Sequence, residues 1–384
     1  MLGVVGTVRR FGMGSGETDL MQVRRRRIAS HDRTKGQRVL AWFGAGWDLM
    51  ACAYLFIALI VAISRLFGGR PHPLFQALQA GFPVFMLGAA GVLVGAVVSR
   101  RWLQALAALF LIGSAWFAIS PAIGRDAVPY WTADGIGFRI ASSNLSIQNL
   151  RPVDAATTLL GTNADMIFVS ELTADFVGAA TAAGFESRYP YRLLDPYLSA
   201  NGIAPDAGLG IYSKFAFDDV ERFGEARAPI VRINLPGGVV FRATPVHVKA
   251  PTETSRVGVW ADDLARLGRL AETTDEPLLL VGDFNSSRWQ PAFGALLKRG
   301  LTDAHEATGK GLTASWPQRF PLLRIDHALM TRQIVATSVR DFDVPGSDHR
   351  AFIADLVVER PGPVRSSKPT AGPTLTVTRS TKRR

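Results

Sequence analysis

The sequence contains a single cysteine, Cys52, among its 384 residues. Disulfide bonds within the chain are therefore excluded, and a folded domain must be held together by its hydrophobic core. Because Cys52 lies in an apolar segment near the N-terminus, a catalytic thiol is excluded from the remainder of the chain.

The region 137–358 has little excess charge, although the whole chain has a net charge of +11. It contains 22 Lys and Arg residues against 25 Asp and Glu residues, a net charge of −3. The basic character therefore belongs to the flanking segments. Residues 1–38 hold nine basic side chains without apolar periodicity, and 359–384 has no acidic residue after Glu359. Both segments are predicted to be basic, disordered tails.

Three long apolar segments follow the N-terminal tail, at about residues 39–64, 74–99 and 102–123. Each exceeds the roughly 20 residues that a helix needs to cross about 30 Å of hydrocarbon, which predicts three transmembrane helices within 39–124. Three buried core helices are the alternative, disfavoured because the segments lack a polar stripe. Asp48 is expected to face the interface or another helix; a functional intramembrane carboxylate is the alternative.

The distribution of Lys and Arg predicts the orientation of these helices. The nine basic residues before the first segment outnumber those in each following loop, so the N-terminus is expected in the cytoplasm. Three crossings would place the chain after about residue 124 outside the cell membrane. A linker, 125–136, then leads into the region 137–358.

The region 137–358 alternates predicted strands and helices, with turn signals such as Pro236-Gly237-Gly238 between them. Mixed strand pairing with interposed helices predicts an α+β domain, a layered sheet sandwich with helices outside. The clearest strand is Leu278–Val281, which leads into the polar segment Gly282–Asn285.

Polar side chains recur where the predicted strands of this region end. Carboxylates of this kind bind Mg²⁺, a histidine takes a proton from water, and amides position a phosphate, so the set suits metal-assisted phosphoryl transfer. Singly, each has a plainer interpretation: Gly-Asp-x-Asn forms turns, His247 fits a core histidine, and Ser347-Asp348-His349 fits an exposed turn. The candidates are Asn144, Glu171, His247, Asp283, Asn285, Asp326, Asp348 and His349.

The motifs around these residues resemble those of the endonuclease/exonuclease/phosphatase superfamily, in the same order along the chain. This resemblance covers about residues 137–358 and implies a four-layered α/β/β/α sandwich. The motifs are RIASSN (Arg139–Asn144), ADMIFVSEL (Ala164–Leu172), GLGIYSK (Gly208–Lys214), PVHVKAP (Pro245–Pro251), VGDFN (Val281–Asn285), RIDHALM (Arg324–Met330) and GSDHRAF (Gly346–Phe352).

The resemblance also implies a role for each candidate. Glu171, helped by Asn144, would bind Mg²⁺ or Mn²⁺, with Asp348 supporting the metal or its waters. His349, oriented by Asp326, would activate the attacking water. Asp283 and Asn285 would hold the scissile phosphate, and His247 would contact phosphate or protonate the leaving group. Ser170 and His327 depart from the family pattern, and His327 is interpreted as a residue of the site wall.

The three predicted spans ahead of this domain are similar to a membrane-anchored bacterial branch that includes the teicoplanin-resistance membrane proteins. This similarity implies a multi-pass membrane phosphoesterase, displayed outside the cell, that acts on an envelope lipid or cell-wall precursor. A membrane-tethered nuclease is the alternative, disfavoured because the sequence of region 137–358 shows no basic cluster for a phosphate backbone. A non-catalytic membrane scaffold is a second alternative.

Overall fold

The computed structural model describes residues 15–66, 72–196, 208–223 and 228–360; side chains are described from residue 35 onward, apart from 219, 220 and 223. The predicted tails lie partly outside the described residues, which exclude 1–14 and 361–384. The described chain forms two compact units. The first contains residues up to Ile60 and Met86–Ile112, and the second contains Val61–Phe85 and the chain from Gly113 onward.

Four helices precede the sheets: α1 (Ser15–Ser64), α2 (Pro73–Ala80), α3 (Phe82–Val98) and α4 (Trp102–Ile119). The first of them begins much earlier than the predicted span. Residues 15–38, for which a disordered tail is predicted, have a helical backbone. This segment contains no proline and is rich in arginine, which favours helix continuation despite its charge.

Two of the described helices are long and apolar enough to cross a membrane, Lys35–Ser64 and Trp102–Ala122. The middle predicted span, 74–99, is not one helix. It is broken at Gly81 into α2 and α3, which are bent by 75°. The predicted count of three spans is therefore met only if this bent pair crosses the membrane as one span.

Asp48 contacts the beginning of α4 within the first unit. Its carboxylate accepts hydrogen bonds from the Arg101 guanidinium and from Gln104 Nε2, the latter at 2.9 Å. Trp47 Nε1 donates to Gln104 Oε1 at 3.2 Å. Asp48 thus faces another helix, as expected for an acidic residue in an apolar helix.

The described part of the second unit contains two six-stranded sheets, with strand orders β11-β12-β1-β2-β4-β3 and β5-β6-β7-β8-β10-β9. The strands are β1 (Ile136–Asn144), β2 (Met166–Ser170), β3 (Tyr191–Asp195), β4 (Leu209–Ser213), β5 (Phe217–Phe223), β6 (Ala228–Asn234), β7 (Val240–His247), β8 (Leu278–Asp283), β9 (Leu301–Asp303), β10 (Asp326–Thr331), β11 (Ile334–Asp343) and β12 (Arg350–Val358).

Helices α5 (Pro152–Leu160), α6 (Ala174–Ala182) and α7 (Phe185–Arg188) cover one outer face of the packed sheets, and α8 (Thr254–Thr273) and α9 (Pro291–Leu297) cover the other. The short helix α10 (Ala304–Ala307) instead contributes Ala304 to the core between the sheets. Alternate strand residues face the space between the sheets. There Phe138 stacks on Phe241, with 5.0 Å between the ring centroids. On the outer faces, Ile167 packs in a hydrophobic core formed with α5, α6 and α7, and Leu280 packs in a second core formed with α8 and α9. The predicted layered sandwich of sheets between helices is therefore present.

Candidate active site

The predicted site residues come from strand ends in both sheets. Parallel pairing brings Asn144 of β1 beside Ser170, the residue before Glu171. In the other sheet, parallel pairing sets His247 of β7 beside Asp283 of β8, and antiparallel pairing sets Asp326 of β10 on the other side of Asp283. Because parallel strands end at the same sheet edge, side chains distant in sequence converge.

Two site residues have left-handed backbone conformations that are unusual for residues other than glycine. Glu171 has φ 52° and Asn285 has φ 46°. Such conformations persist where the surrounding structure fixes them, and they are frequent at functional sites. At Asn285 the backbone N–H donates to Asp283 Oδ1 at 2.7 Å, which stabilises the turn of the predicted Gly-Asp-Phe-Asn motif.

His349 and Asp326 form a buried pair. His349 Nδ1 lies 2.8 Å from Asp326 Oδ2, and His349 Nε2 lies 3.8 Å from Asp283 Oδ2. Ser315 Oγ accepts the backbone N–H groups of Ile325 and Asp326 at 3.1 and 3.2 Å. Asp326 thus fixes the ring orientation of His349 and leaves Nε2 directed toward the second carboxylate.

For each of these two residues, burial and neighbouring charge have opposite effects on the pKa. Burial raises the pKa of Asp283 to about 6, against the lowering effect of His349. Burial alone would lower the pKa of His349, but the carboxylates of Asp326 and Asp283 more than offset it and raise this pKa to about 10. The two carboxylates therefore favour the imidazolium form of His349, and compensation of their negative charge would favour the neutral ring that takes a proton from water.

Asn144 connects two carboxylates across the site. Its Nδ2 donates to Glu171 Oε1 at 2.9 Å and to Asp283 Oδ2 at 3.1 Å, while its Oδ1 accepts the Ser146 N–H at 2.9 Å. Glu171 Oε2 accepts the N–H of Ile147 at 2.8 Å. The amide oxygen of Asn144 thus accepts a backbone hydrogen bond, while its nitrogen holds the Glu171 and Asp283 carboxylates in place.

His247 and Asn285 lie around the same carboxylates. His247 Nε2 is 3.7 Å from Glu171 Oε1 and 3.8 Å from Asp283 Oδ2. Asn285 Nδ2 donates to Val248 O at 2.8 Å and to Asp283 Oδ2 at 3.2 Å. The residues predicted to contact phosphate therefore lie within about 4 Å of carboxylates that could bind a metal.

A cavity of about 670 Å³ opens on this cluster. Glu171, His247, Asp283, Asn285 and His349 line it, together with Asp348, whose Oδ2 accepts Trp316 Nε1 at 3.2 Å. Asp326 and Asn144 stand behind these residues. The sequence analysis missed other lining residues, which include Lys249 and Arg256 and several residues of α2. Lys249 lies two residues after His247 in the PVHVKAP motif, which was the available signal.

The donor set of the cavity fits a hard divalent cation. Glu171, Asp283 and Asp348 supply carboxylate oxygens, which Mg²⁺ and Mn²⁺ prefer. Among the described residues, one group of three potential ligands lies within 4.8 Å, and it consists of Asp283, Asp326 and His349. This group differs from the predicted metal set. Its compactness follows from the hydrogen bond between His349 and Asp326, which occupies the ring Nδ1.

His327 does not line the cavity, contrary to its interpretation as a wall residue. Its side chain is buried, with Nδ1 bonded to the Asp303 carboxylate and Nε2 2.8 Å from Ser286 O. The centroid of its ring lies 4.5 Å from the ring centroid of Phe293 on α9. His327 therefore supports the loop after Asp283 from behind.

The comparison with family models matches residues 141–349, more than half of the chain, to the Endonuclease/Exonuclease/phosphatase family. Similar solved structures include an endonuclease/exonuclease/phosphatase from Bacteroides vulgatus (16% identity, TM-score 0.45), which covers 58% of this chain and 100% of its own. The human Nocturnin catalytic domain with bound sulfate is 15% identical, with TM-score 0.42 and coverage of 59% and 98%. Beta toxin from Staphylococcus aureus is 18% identical, with TM-score 0.41 and coverage of 56% and 99%.

No curated protein matches the sequence. Members of this family are hydrolases of phosphate ester bonds and generally depend on divalent metals. The chain belongs to the endonuclease/exonuclease/phosphatase family of hydrolases.

Proposed function

We propose that the chain is a membrane-anchored phosphoesterase that requires Mg²⁺ or Mn²⁺. The observation that carries this proposal is the convergence of the His349–Asp326 pair with the Glu171 and Asp283 carboxylates on one cavity. A histidine oriented by a carboxylate, beside oxygens suited to a divalent cation, is an arrangement that activates water for attack on phosphorus.

In this proposal Glu171 and Asp348 hold the cation, and Asn144 fixes the Glu171 carboxylate. The cation would neutralise charge on the phosphate and on the carboxylates around His349. Asp326 orients His349, whose Nε2 takes the proton of the attacking water.

Three further site residues act on the phosphate or its leaving group. Asp283 and Asn285 orient the scissile group, and His247 contacts it or protonates the leaving group. The short distances from His247 to Glu171 and Asp283 support this placement.

The substrate proposed is a phosphodiester, phosphomonoester or pyrophosphate of an envelope lipid or cell-wall precursor. Two helices long and apolar enough to span a membrane support a location at the bilayer. The region 137–358 has a net charge of −3, which disfavours binding of a long nucleic acid. A tethered nuclease remains the second candidate, favoured by Lys249 and Arg256 in the cavity.

The full chain, purified in a non-ionic detergent, provides the test. Hydrolysis of bis(p-nitrophenyl) phosphate, a polyprenyl pyrophosphate and plasmid DNA is measured with Mg²⁺, with Mn²⁺ and with EDTA. Metal-dependent turnover is expected, and His349→Ala, Glu171→Gln and Asp326→Asn should each lower kcat by about 10²-fold or more.

Asp154→Asn is the matched control, because Asp154 lies on the exposed face of α5 and pairs with Arg151. It should retain full activity. Turnover that persists in EDTA and in the His349→Ala variant would contradict the proposal, and turnover of DNA alone would establish the nuclease instead.

A further inference from the structure

One side of the candidate active-site cavity is apolar. We name the lining residues that form it the apolar rim; three come from α2 and three from the segment before β10. Glu171, Asp283 and His349 line the same cavity, so the rim adjoins the site proposed for phosphate. The rim consists of Pro73, Leu74, Ala77, Trp316, Leu323 and Ile325.

Helix α2 is fixed to the catalytic layers by buried polar contacts. Gln290 Nε2 donates to Gln76 Oε1 at 3.0 Å, and Ser287 Oγ donates to Ala80 O at 2.9 Å. Gln76 is 2% exposed. Hydrogen bonds between buried polar groups are costly to break, so α2 is a fixed wall of this cavity.

The cavity-facing side of α2 leaves apolar side chains uncovered. Leu74 is 61% exposed, and Ala77 is exposed as well. An exposed apolar surface beside a polar site is characteristic of a site that binds an amphiphilic ligand. Helix α2 also lies outside the residues matched by the family model, so this wall is an addition to the common domain.

The sequence neighbours of α2 indicate what covers the rim. Gln79 Nε2 on α2 donates to Ser64 Oγ at 2.8 Å, and Ser64 is the last residue of the candidate span Lys35–Ser64. Helix α2, which supplies half of the apolar rim, is therefore hydrogen-bonded to the end of a helix suited to the bilayer. Lys249 and Arg256 line the same cavity and offer positive charge to an anionic headgroup.

We propose that the apolar rim binds the hydrocarbon chain of the substrate, so that the enzyme selects phosphate esters that carry an alkyl or prenyl chain next to the phosphate. This inference rests on the proposed phosphoesterase function and specifies its substrate class. Each buried CH₂ group contributes at most about fourfold to affinity.

The experiment compares binding of hexylphosphonate and methylphosphonate to the full chain in a non-ionic detergent, by isothermal titration calorimetry with and without Mg²⁺. Titration into detergent alone corrects for partition into micelles. Five additional CH₂ groups in a partly open rim should strengthen binding by about 30-fold or more.

The variants Leu74→Gln and Ala77→Gln should each reduce the preference for the hexyl compound by at least about threefold. Both positions are exposed, so folding should be retained. Leu150→Gln is the matched control, because Leu150 is 93% exposed and does not line the cavity. It should leave the preference unchanged.

Equal affinity for the two phosphonates, or a hexyl preference that survives both rim variants, would overturn the inference; so would the absence of measurable hexylphosphonate binding. Turnover of bis(p-nitrophenyl) phosphate by the same preparations separates this failure from that of the proposed function. Retained turnover without a preference for the hexyl compound rejects only the proposal that the apolar rim binds a hydrocarbon chain. A hexyl preference lost in Leu74→Gln, without any turnover, keeps the rim as an amphiphile-binding site and rejects the phosphoesterase.

Discussion

Individual buried charges behind the site hold the segment that precedes β10. Arg324 Nη2 donates to both carboxylate oxygens of Asp341 at 3.1 Å, and Asp341 Oδ1 lies 3.2 Å from His305 Nε2. Arg324 Nε also donates to Thr313 O at 2.6 Å. Because Arg324 immediately precedes Ile325 and Asp326, this ion pair fixes the backbone from which Asp326 reaches His349.

Asp341→Asn should destabilise the fold strongly at neutral pH. The side chains of Asp341 and Arg324 are 7% and 6% exposed, so the change leaves a buried guanidinium without its counter-charge, at a cost of about 3–5 kcal/mol. Although burial alone would raise the pKa of Asp341, the hydrogen bond to His305 and the charge of Arg324 hold it below its usual range. Thermal unfolding of the full chain should show a lower Tm, by about 10 °C at pH 7.

The pH dependence of this difference has a definite sign. A depressed carboxyl pKa contributes stability above the pKa of the unfolded state, about 4, and this contribution is lost as pH falls through the folded pKa. The Tm gap between parent and Asp341→Asn should therefore be full above pH 5 and narrow below pH 4. Asp343→Asn is the control, since Asp343 is 65% exposed in its pair with Arg350 and should change Tm little. A gap that widens toward low pH would refute this account.

At the scale of residues, the position of the site can be predicted from the sequence, whereas the orientations of its side chains cannot. Polar residues after apolar strands, as in LLLVGDFN, are visible as a pattern, and the structure brings those eight residues together. The direction of a side chain is not encoded in that pattern. Asn144 directs its nitrogen toward Glu171 because the Ser146 N–H occupies its oxygen, and His327 faces Asp303 rather than the cavity.

Among the elements, strands β7 and β8 leave no room for a side chain between them where the site begins. Gly282 has φ 142°, and a Cβ atom placed there would lie 2.1 Å from the carbonyl oxygen of Val246. Val246 and Gly282 are register partners, one step before His247 and Asp283. Glycine is required here because the neighbouring backbone cannot move without displacing both site residues.

Gly282→Ala should therefore impair both stability and activity. The strained backbone conformation and the contact with Val246 should together cost about 3 kcal/mol or more, and displacement of Asp283 should lower turnover of the phosphodiester. Unfolding by heat and steady-state hydrolysis measure the two effects on the same sample.

Gly294→Ala is the matched control for this change. Gly294 lies in α9, where a Cβ atom would have its nearest neighbour at 4.0 Å, and alanine favours the helix by about 0.5–1 kcal/mol. Its Tm should stay equal or rise. If Gly282→Ala matched Gly294→Ala in stability and activity, the close approach of the two strands would have no functional importance.

The break between α2 and α3 shows what hydropathy cannot predict at this scale. The run 74–99 is apolar enough for a span, but hydropathy averages over residues and is insensitive to a bend. The available signal was Gly81 and Pro83 within the run, because proline removes a backbone hydrogen-bond donor and bends or ends a helix. Gln76 is buried and pairs with Gln290, so contacts with a segment more than two hundred residues later stabilise the bent arrangement.

For the whole molecule, the bent pair decides the topology. Three crossings would place the N-terminus and the catalytic domain on opposite sides of the membrane, and two crossings would place them on the same side. The nine basic residues before the first apolar segment favour a cytoplasmic N-terminus. Because the bent pair is together long and apolar enough for one span, we expect it to supply the third crossing, which with a cytoplasmic N-terminus makes the catalytic domain extracytoplasmic.

Cysteine labelling can test this, because Cys52 is the only cysteine of the chain. In a Cys52→Ser background, Leu150→Cys marks the catalytic domain at a position 93% exposed, and Gly36→Cys marks the exposed N-terminal side of the first candidate span. A membrane-impermeant maleimide applied to bacterial spheroplasts should label Leu150→Cys before lysis and Gly36→Cys only after it. Labelling of both only after lysis would mean two crossings and a cytoplasmic hydrolase, for which substrates of the outer leaflet are excluded. Each variant labelled after lysis serves as its own control for reactivity, so the side of the membrane is read from the difference between the two samples.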